Sequence, residues 1–197
     1  MSLAADSKGE RTRARLLDVA VRRFAADGFR GTSVAAVARD AGVTPAAVYA
    51  YFPSKEGLFE AAVDTDAAAL ILESLQQLEP AGGALHEAWP QLIGTLLTGL
   101  DDHPLARRVL AAQEREALPR LLELQALADL RAVLAAILAT DQERGLVRTD
   151  LDPAVLALGL ETIVLSLLMS ILIVGDVDPS RSDGVIAVMA AALAPPD

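Results

Sequence analysis

Three residues whose side chains can contact nucleic acid, Thr44, Tyr49 and Lys55, follow one another closely after a glycine at position 42. Hydroxyl groups and free amides at helix N-termini bind phosphate oxygens, and a lysine ammonium at a helix start reaches phosphate as a point charge. Catalysis has little support, because the chain has two histidines, no cysteine and no glycine-rich phosphate loop. The spacing therefore points to a nucleic-acid interface.

Two short helices must position these groups. Thr32 or Ser33 is expected to cap the first, and Gly42 to end it in the left-handed conformation that glycine accepts. Thr44 and Pro45 begin the second, as a capping hydroxyl followed by a ring whose missing amide costs nothing at the first helical position. The residues expected to fill the wedge between the helices are Val37, Val43 and Val48. This pattern is a helix-turn-helix candidate, whose second helix enters the major groove.

The rest of the chain predicts an all-α fold of about nine helices, because apolar residues recur at spacings of three and four and no stretch alternates. A leading helix, which Ser7 and Glu10 start with a capping box, should stop at Asp27-Gly28. Ser54 should cap a long helix from Lys55 that Pro80 and Gly82-Gly83 end. Further helices are expected over 84–101, 104–112, 114–144, 153–174 and 179–194. We divide the chain into a three-helix DNA-binding domain, 1–54, and a helical effector-binding and dimerisation domain, 55–197.

The stretch GTSVAAVARDAGVTPAAVYAYFPSKEGLF, residues 31–59, closely resembles the DNA-binding signature of the TetR family of bacterial repressors, and FAADGF in the preceding helix is similar too. The resemblance implies phosphate contacts for Thr32, Thr44 and Lys55, and a backbone or base contact for Tyr49. The candidate DNA-binding residues are Thr32, Ser33, Arg39, Thr44, Pro45, Ala46, Ala47, Tyr49, Tyr51 and Lys55. Each role has an alternative. The threonines could serve only as helix caps, Tyr51 and Phe52 could lie in the core, and Lys55 could be a solvated surface residue.

The second helix departs from the family pattern, because Ala47 stands where the family often has glycine. Ala46 and Ala50 leave it without arginine, lysine, asparagine or glutamine. We expect specificity to come from alanine and threonine methyl groups against thymine methyls, from Tyr49 and from DNA shape. Backbone or minor-groove charge would come from Arg11, Arg13 or Arg39.

The charge distribution separates the two parts of the chain. The 197 residues carry a net charge of -10, yet residues 1–60 hold nine basic residues against seven acids, and the remainder eight against twenty. This asymmetry suggests a basic module on an acidic body. The polar N-terminal stretch lacks an export signal, which favours a cytoplasmic location. Segment 154–174 approaches the length of a membrane span, but Glu161 and flanking aspartates indicate a buried helix instead.

For the second domain, the resemblance implies a small-molecule site between helices and dimerisation through the last two large helices. The candidate effector-binding residues are Trp89, Gln91, Thr95, Thr98, His103, Glu161, Thr162, Ser166 and Met169. The candidate dimer-interface residues are Leu156, Leu160, Val164, Leu167, Leu168, Val185, Val188, Met189, Ala192 and Leu193. The alternative for these interface residues is that they form the core of a monomer. A carboxylate within an apolar helix needs a partner, so Glu161 is expected to pair with Arg131 or Arg120 rather than with a cationic ligand.

The sequence thus predicts a TetR-like regulator without enzymatic activity, cofactor or metal. It would bind a palindromic operator on double-stranded DNA as a homodimer and be released by a small-molecule effector acting through the helix 55–78. Repression itself is what the resemblance implies. The alternative is a helical ligand-binding or adaptor protein that does not bind DNA. The acidic pairs Asp101 with Asp102, Glu114 with Glu116, and Asp141 with Glu143 are interpreted as surface or loop charge.

Overall fold

The computed structural model describes residues 8–76, 85–114, 123–175 and 179–195. Within these ranges the chain forms nine helices and no strand, which confirms the all-α prediction. The helices are α1 (Lys8–Gly31), α2 (Val34–Asp40), α3 (Pro45–Tyr49), α4 (Lys55–Gln76), α5 (Leu85–Gly99), α6 (Pro104–Leu110), α7 (Gln125–Glu143), α8 (Pro153–Val174) and α9 (Pro179–Leu193). The predictions for Ser7 and for Pro80 to Gly83 lie outside the described residues.

The leading helix breaks at Gly28, where the sequence pattern predicts its end. Gly28 adopts φ 73° and ψ 174°, which is not helical, and a further short turn of helix continues to Gly31, so α1 consists of two helical pieces joined at a kink. The amide of Thr32 still donates to the Gly28 carbonyl at 3.2 Å. Glycine permits the positive φ, and the last turn of α1 therefore leaves at an angle that continued helix would not give.

The predicted helix 114–144 is not one continuous helix, and its residues 115–122 lie outside the described part of the chain. Leu124 has an extended backbone (φ -60°, ψ 136°), and α7 begins only at Gln125. Ala112 and Gln113 close the end of α6 through hydrogen bonds to the carbonyls of Val109 and Arg108. Helical periodicity in the sequence does not reveal the extended residue Leu124.

One continuous hydrophobic core extends from α1 to α9. Helix α1 packs against α2, α4 and α6; α4 packs against α5, α6 and α7; and α8 packs most extensively against α7. Helix α4 therefore lies between the N-terminal helices and the body. This arrangement lets one element contact both the DNA-binding candidate residues and the interior of the second domain.

Helix α8 is, among the described residues, the one helix long and apolar enough by composition to cross a membrane. Inside it, however, Glu161 is buried, and both its carboxylate oxygens accept from Arg131 Nη1 of α7 at 2.8 Å. The expected arginine partner is thus confirmed. An ion pair between two packed helices satisfies the carboxylate within the protein, and we interpret α8 as a core helix with one uncovered face.

Candidate nucleic-acid interface and interior cavity

Helix α3 begins with the expected capping chemistry. The amide of Ala47 donates to Thr44 Oγ1 at 3.2 Å, and Pro45 occupies the first helical turn. Val48 is buried against the core, whereas Tyr49 on the next position is 52% exposed. The short helix is anchored through its valine and presents its N-terminal residues and its tyrosine to solvent.

The turn before α3 is built as the spacing predicted. Gly42 has φ 67°, and the amide of Val43 donates to the Ala38 carbonyl at 2.9 Å. Val37, Val43 and Val48 all pack in the hydrophobic core between the two helices. The predicted wedge is confirmed, and it fixes the orientation of α3 relative to α2.

Most of the candidate DNA-binding residues surround this helix in exposed positions. Ser33 caps α2 by accepting from the Ala36 amide at 3.1 Å. The Arg39 side chain is 73% exposed, and Tyr51 lies at the surface while its neighbour Phe52 is buried. The further exposed or half-exposed candidates are Thr44, Pro45, Ala46 and Ala47. These residues form the surface that we call the α3 face, namely Ser33, Arg39, Thr44 to Ala47, Tyr49 and Tyr51.

Two candidates occupy other positions. Thr32 is buried, and its hydroxyl donates to the Arg23 carbonyl at 3.2 Å, so the structure argues against a phosphate contact through this side chain. Lys55 is half-buried with its ammonium 4.5 Å from the centre of the Phe29 ring. A cation over an aromatic face is electrostatically favourable, so Lys55 holds α1 against the start of α4 in this structure.

Charged side chains hold α1 against α2. Arg23 Nε donates to Asp40 Oδ2 at 2.6 Å, and Arg23 also reaches Asp27 on its own helix at 3.1 Å. The hydrogen bond from Arg23 lowers the pKa of the Asp40 carboxyl, and the same bond raises the pKa of Arg23. The pair therefore stays ionised at neutral pH and fixes the helix that precedes the turn.

A second ion pair, which sequence reasoning missed, holds the kink of α1 against the body. Arg108 Nε of α6 donates to Glu114 Oε1 at 2.7 Å, and the same oxygen accepts from the Phe29 amide at 3.2 Å. A Cβ atom on Gly28 would lie 2.6 Å from Arg108 Nη2 and 2.7 Å from Glu114 Oε1. We call these two side chains the kink clasp. Glu114 is only 11% exposed, so its interpretation as surface charge was wrong.

The start of α6 is fixed to α4 by Asp66. Its Oδ2 accepts from the amides of Leu105 and Ala106 at 3.0 and 2.8 Å, and its Oδ1 lies 3.1 Å from His103 Nδ1. The other ring nitrogen of His103 lies 3.3 Å from Glu73 Oε2. A carboxylate at a helix N-terminus satisfies amides that have no partner within the helix. His103 thus joins α4 and α6.

The body contains a cavity of about 70 Å³ between α4, α5, α6, α7 and α8. Of the predicted effector residues, Trp89 and Glu161 line it and the others do not. His103 is engaged with Asp66 and Glu73, and Met169 packs elsewhere against the core. Gln91, Thr98, Thr162 and Ser166 are exposed or half-exposed, and the hydroxyls of Thr95, Thr98, Thr162 and Ser166 donate to carbonyls of their own helices.

The aliphatic wall was not identified in the sequence. Its residues are Val63, Ala67, Leu70, Ile71, Leu75, Leu92, Leu96, Ala106, Val109, Leu110, Leu124, Leu127, Leu130, Leu134, Val164, Leu165 and Leu168. Leucine and alanine occur on nearly every helix, so composition alone does not distinguish a cavity wall from the rest of the core.

The predicted dimer-interface residues divide into two groups. Leu160, Val164, Leu167, Leu168, Met189 and Leu193 are buried within the single chain. Leu156 and Val185 are half-buried, whereas Val188 and Ala192 are exposed. The buried six therefore do not form a free surface. The uncovered apolar residues of α8 and α9 are Val155, Leu158, Ile163, Ile173, Val174 and Val188.

Taken together, the capped α3, the valine wedge and the exposed α3 face define a helix-turn-helix DNA-binding regulator. Residues 16–62 match the family of bacterial regulatory proteins described as the tetR family. YdgC of Bacillus subtilis strain 168, an uncharacterized HTH-type transcriptional regulator, is 30% identical over 190 residues, covering 88% of each chain. The chain belongs to the TetR family.

Solved structures extend the likeness in fold to nearly the whole chain. The fatty acid degradation regulator FadR of Bacillus halodurans superposes with a TM-score of 0.69 at 20% identity, covering 94% of this chain and 97% of the other. FadR of Bacillus subtilis, solved in complex with stearoyl-CoA, superposes with a TM-score of 0.67 at 20% identity, covering 91% and 98%. At these identities the likeness establishes the fold of the body.

Proposed function

We propose that this regulator represses transcription by binding a palindromic operator as a homodimer, and that a small molecule in the interior cavity releases it. The observation that carries the proposal is the position of α4. Helix α4 begins shortly after α3, the helix proposed to recognise the operator. Five residues of α4, from Val63 to Leu75, line the cavity. Such a regulator acts on chromosomal DNA and therefore in the cytoplasm.

The proposed operator contacts come from the α3 face. Thr44, Pro45, Ala46 and Ala47 offer methyl and methylene groups to thymine methyls, and Tyr49 offers a ring and a hydroxyl. Arg39 supplies an exposed positive charge for phosphate. Ser33 and Tyr51 flank the helix. Lys55 can reach phosphate only by leaving the Phe29 ring, and we leave Thr32 out because it is buried.

The proposed dimer interface is the uncovered face of α8 and α9. Val155, Leu158 and Ile173 on α8 are between 53% and 60% exposed, and Val188 on α9 is 67% exposed. Exposed large apolar residues on the last two helices favour a surface that another protein covers. A two-fold axis would pair α8 and α9 of one protomer with those of its partner. The two recognition helices would then read half-sites about 34 to 36 Å apart, or a multiple of that spacing.

The proposed coupling uses α6 as well as α4. Ala106, Val109 and Leu110 of α6 line the cavity, and Arg108 between them belongs to the kink clasp. A ligand that displaces α6 would pull the clasp away from the last turn of α1. Because Phe29 in that turn contacts Lys55, the displacement reaches the start of α4. Helix α1 also packs against α2, which in turn packs against α3.

A salt series on operator binding tests the DNA contacts. An operator is first selected from random duplexes, and binding of wild type, Arg39→Ala and Arg22→Ala is measured by fluorescence anisotropy from about 50 to 200 mM salt. Arg39→Ala should reduce the slope of log affinity against log salt by about one unit. Arg22→Ala removes the same charge from an exposed position on α1 and should leave the slope unchanged. Equal slopes for all three proteins would contradict the role of Arg39.

The oligomeric state tests the dimer interface independently. Leu158→Asp on α8 should convert the dimer to a monomer in sedimentation-velocity experiments, because it places a charge in an apolar contact. Leu72→Asp on α4 is the matched control, since Leu72 is 57% exposed and Leu158 53%. A dimer that survives Leu158→Asp, or a wild-type protein that is monomeric at micromolar concentration, would contradict this interface.

A further inference from the structure

Trp89 is the single tryptophan of the chain, and it lies in the wall of the cavity. Its side chain is 1% exposed, and its indole N–H has no hydrogen-bond partner among the residues that the structure describes. A buried tryptophan N–H normally finds an acceptor, and each exception asks for an explanation. A ligand oxygen that completes this bond would supply one.

The other cavity-lining side chains bring no uncompensated charge. Apart from Glu161 and Trp89, the described lining is aliphatic. Both oxygens of Glu161 accept from Arg131 Nη1 at 2.8 Å, so the negative charge of this carboxylate is balanced by the guanidinium. A buried ionised group without a partner is strongly unfavourable. An anionic ligand would find no free cation in the described part of this wall, and a cationic ligand would have to displace Arg131.

The volume of the cavity sets a further condition. At about 70 Å³ it is roughly half the size of an engineered 150 Å³ cavity that holds benzene. A ligand of six or more heavy atoms must therefore widen the space between the helices that line it. Widening also opens a path to the indole N–H, which is covered in this structure.

We infer that the effector is a neutral, largely hydrocarbon molecule with one oxygen that accepts a hydrogen bond from the Trp89 indole N–H. The inference rests on the proposed function, because it names the chemistry that the proposed effector cavity selects. Trp89 is then a specificity-determining residue: it discriminates a carbonyl, ether or hydroxyl oxygen from a methylene group of the same shape. The aliphatic wall makes only apolar contacts, so it does not distinguish between hydrocarbon groups of similar size.

Three probes of similar size test this selection on the full-length protein. They are 2-hexanone, its isostere 2-methyl-1-hexene, in which a methylene replaces the carbonyl oxygen, and hexanoate. Binding is followed by titration calorimetry and by the emission of Trp89 itself. We expect 2-hexanone to bind about tenfold more tightly than the alkene, because only the ketone oxygen completes the hydrogen bond from the buried indole N–H. Hexanoate should bind more weakly than either at neutral pH.

A Trp89→Phe variant separates the hydrogen bond from the ring. It keeps an aromatic side chain in the wall but removes the N–H, so calorimetry should show the ketone and the alkene binding with similar affinity. The unchanged helical circular dichroism of this variant serves as the folding control. If it does not fold, the ketone-to-alkene ratio and the Trp89 emission of the wild type still decide the question.

Each outcome decides the inference. Equal affinity of wild type for ketone and alkene, or a ketone preference that survives Trp89→Phe, overturns the role of the indole N–H. Tightest binding by hexanoate overturns the neutrality of the ligand. Failure of all three to bind up to about 1 mM overturns the cavity as a site for such molecules. Operator binding is measured separately, so loss of the inference and loss of the proposed DNA function are distinguishable.

Discussion

Replacing Gly28 by alanine tests whether the kink of α1 is a specific contact between the two parts of the molecule. Gly28 has φ 73° and ψ 174°, a backbone conformation that costs a residue with a Cβ about 1 to 3 kcal/mol. The new Cβ would also lie 2.6 Å from Arg108 Nη2 and 2.7 Å from Glu114 Oε1. Both atoms are ends of side chains that can withdraw, and their withdrawal breaks the bond from the Phe29 amide to Glu114.

The magnitude follows from these two terms. A hydrogen bond to a charged group contributes about 1.5 to 3 kcal/mol, so strain and lost bonding together should lower the free energy of unfolding by about 2.5 to 6 kcal/mol. Gly145→Ala is the matched control, because Gly145 has φ 69° and a Cβ added to it would meet no atom within 4 Å. It should lose only the strain term, about 1 kcal/mol.

Urea denaturation followed by circular dichroism measures both variants against wild type. The difference between Gly28→Ala and Gly145→Ala contains the contact with the kink clasp together with any additional strain at the ψ of 174°. Equal losses in the two variants would refute the reasoning, because the clasp would then add nothing to the cost of a left-handed backbone. A Gly28→Ala protein as stable as wild type would refute the strain argument as well.

Three further predictions follow from local contacts. Thr44→Ala should lower the free energy of unfolding by about 1 kcal/mol through loss of the α3 cap, whereas Thr44→Ser should retain it; equal losses would contradict the capping role. Because Arg23 lowers the pKa of Asp40, this pair stabilises the fold above the unfolded-state pKa of about 4, and the contribution is lost as pH falls through the lower folded-state value. Asp40→Asn should therefore flatten the acid limb of thermal stability below about pH 4, and an unchanged limb would count against the pair. Leu138→Ala, at a fully buried position of α7, should cost about 2 to 5 kcal/mol in urea denaturation, whereas Ala136→Gly on the exposed side should cost about 1.

The DNA-binding part of the fold could be predicted from the sequence because its signals are local. Thr44 and Pro45 specify a helix start, and Gly42 specifies the turn, whatever the rest of the chain does. The valine wedge follows from the same spacing. Each of these residues acts on neighbours a few positions away, so the pattern is sufficient to identify them.

The interior could not be predicted in the same way. Helix α8 is apolar on most sides, so periodicity cannot say which side packs in the core and which remains uncovered. Residues such as Leu160 and Leu168 were assigned to an interface for this reason and lie in the core. Polar side chains such as Thr162 and Ser166 are difficult to assign for a different reason, because their hydroxyls donate to carbonyls one turn earlier and need no ligand.

Glu114 shows why charge is a poor guide to exposure in this chain. Its sequence context is acidic and resembles a loop, yet its carboxylate accepts from Arg108 of α6 and from the Phe29 amide eighty-five residues away in the sequence. Neither partner leaves a pattern that periodicity or spacing detects. Asp141 is a second example, because it is buried and accepts from the Leu85 amide at 2.9 Å.

The kink clasp has a strength suited to a switch. An effector changes operator affinity by the difference between its affinities for two arrangements, typically about 1 to 3 kcal/mol. A charge-assisted hydrogen bond such as that between Phe29 and Glu114 contributes about 1.5 to 3 kcal/mol. A ligand that widens the cavity by moving α6 would break this hydrogen bond, and the free energy lost would be of the same size as the coupling that the ligand supplies. A much stronger contact would lock α1 against any effector, and a much weaker one would transmit nothing. Breaking this bond with Glu114→Ala, which removes the acceptor, should therefore weaken the response of operator binding to the effector more than operator binding itself.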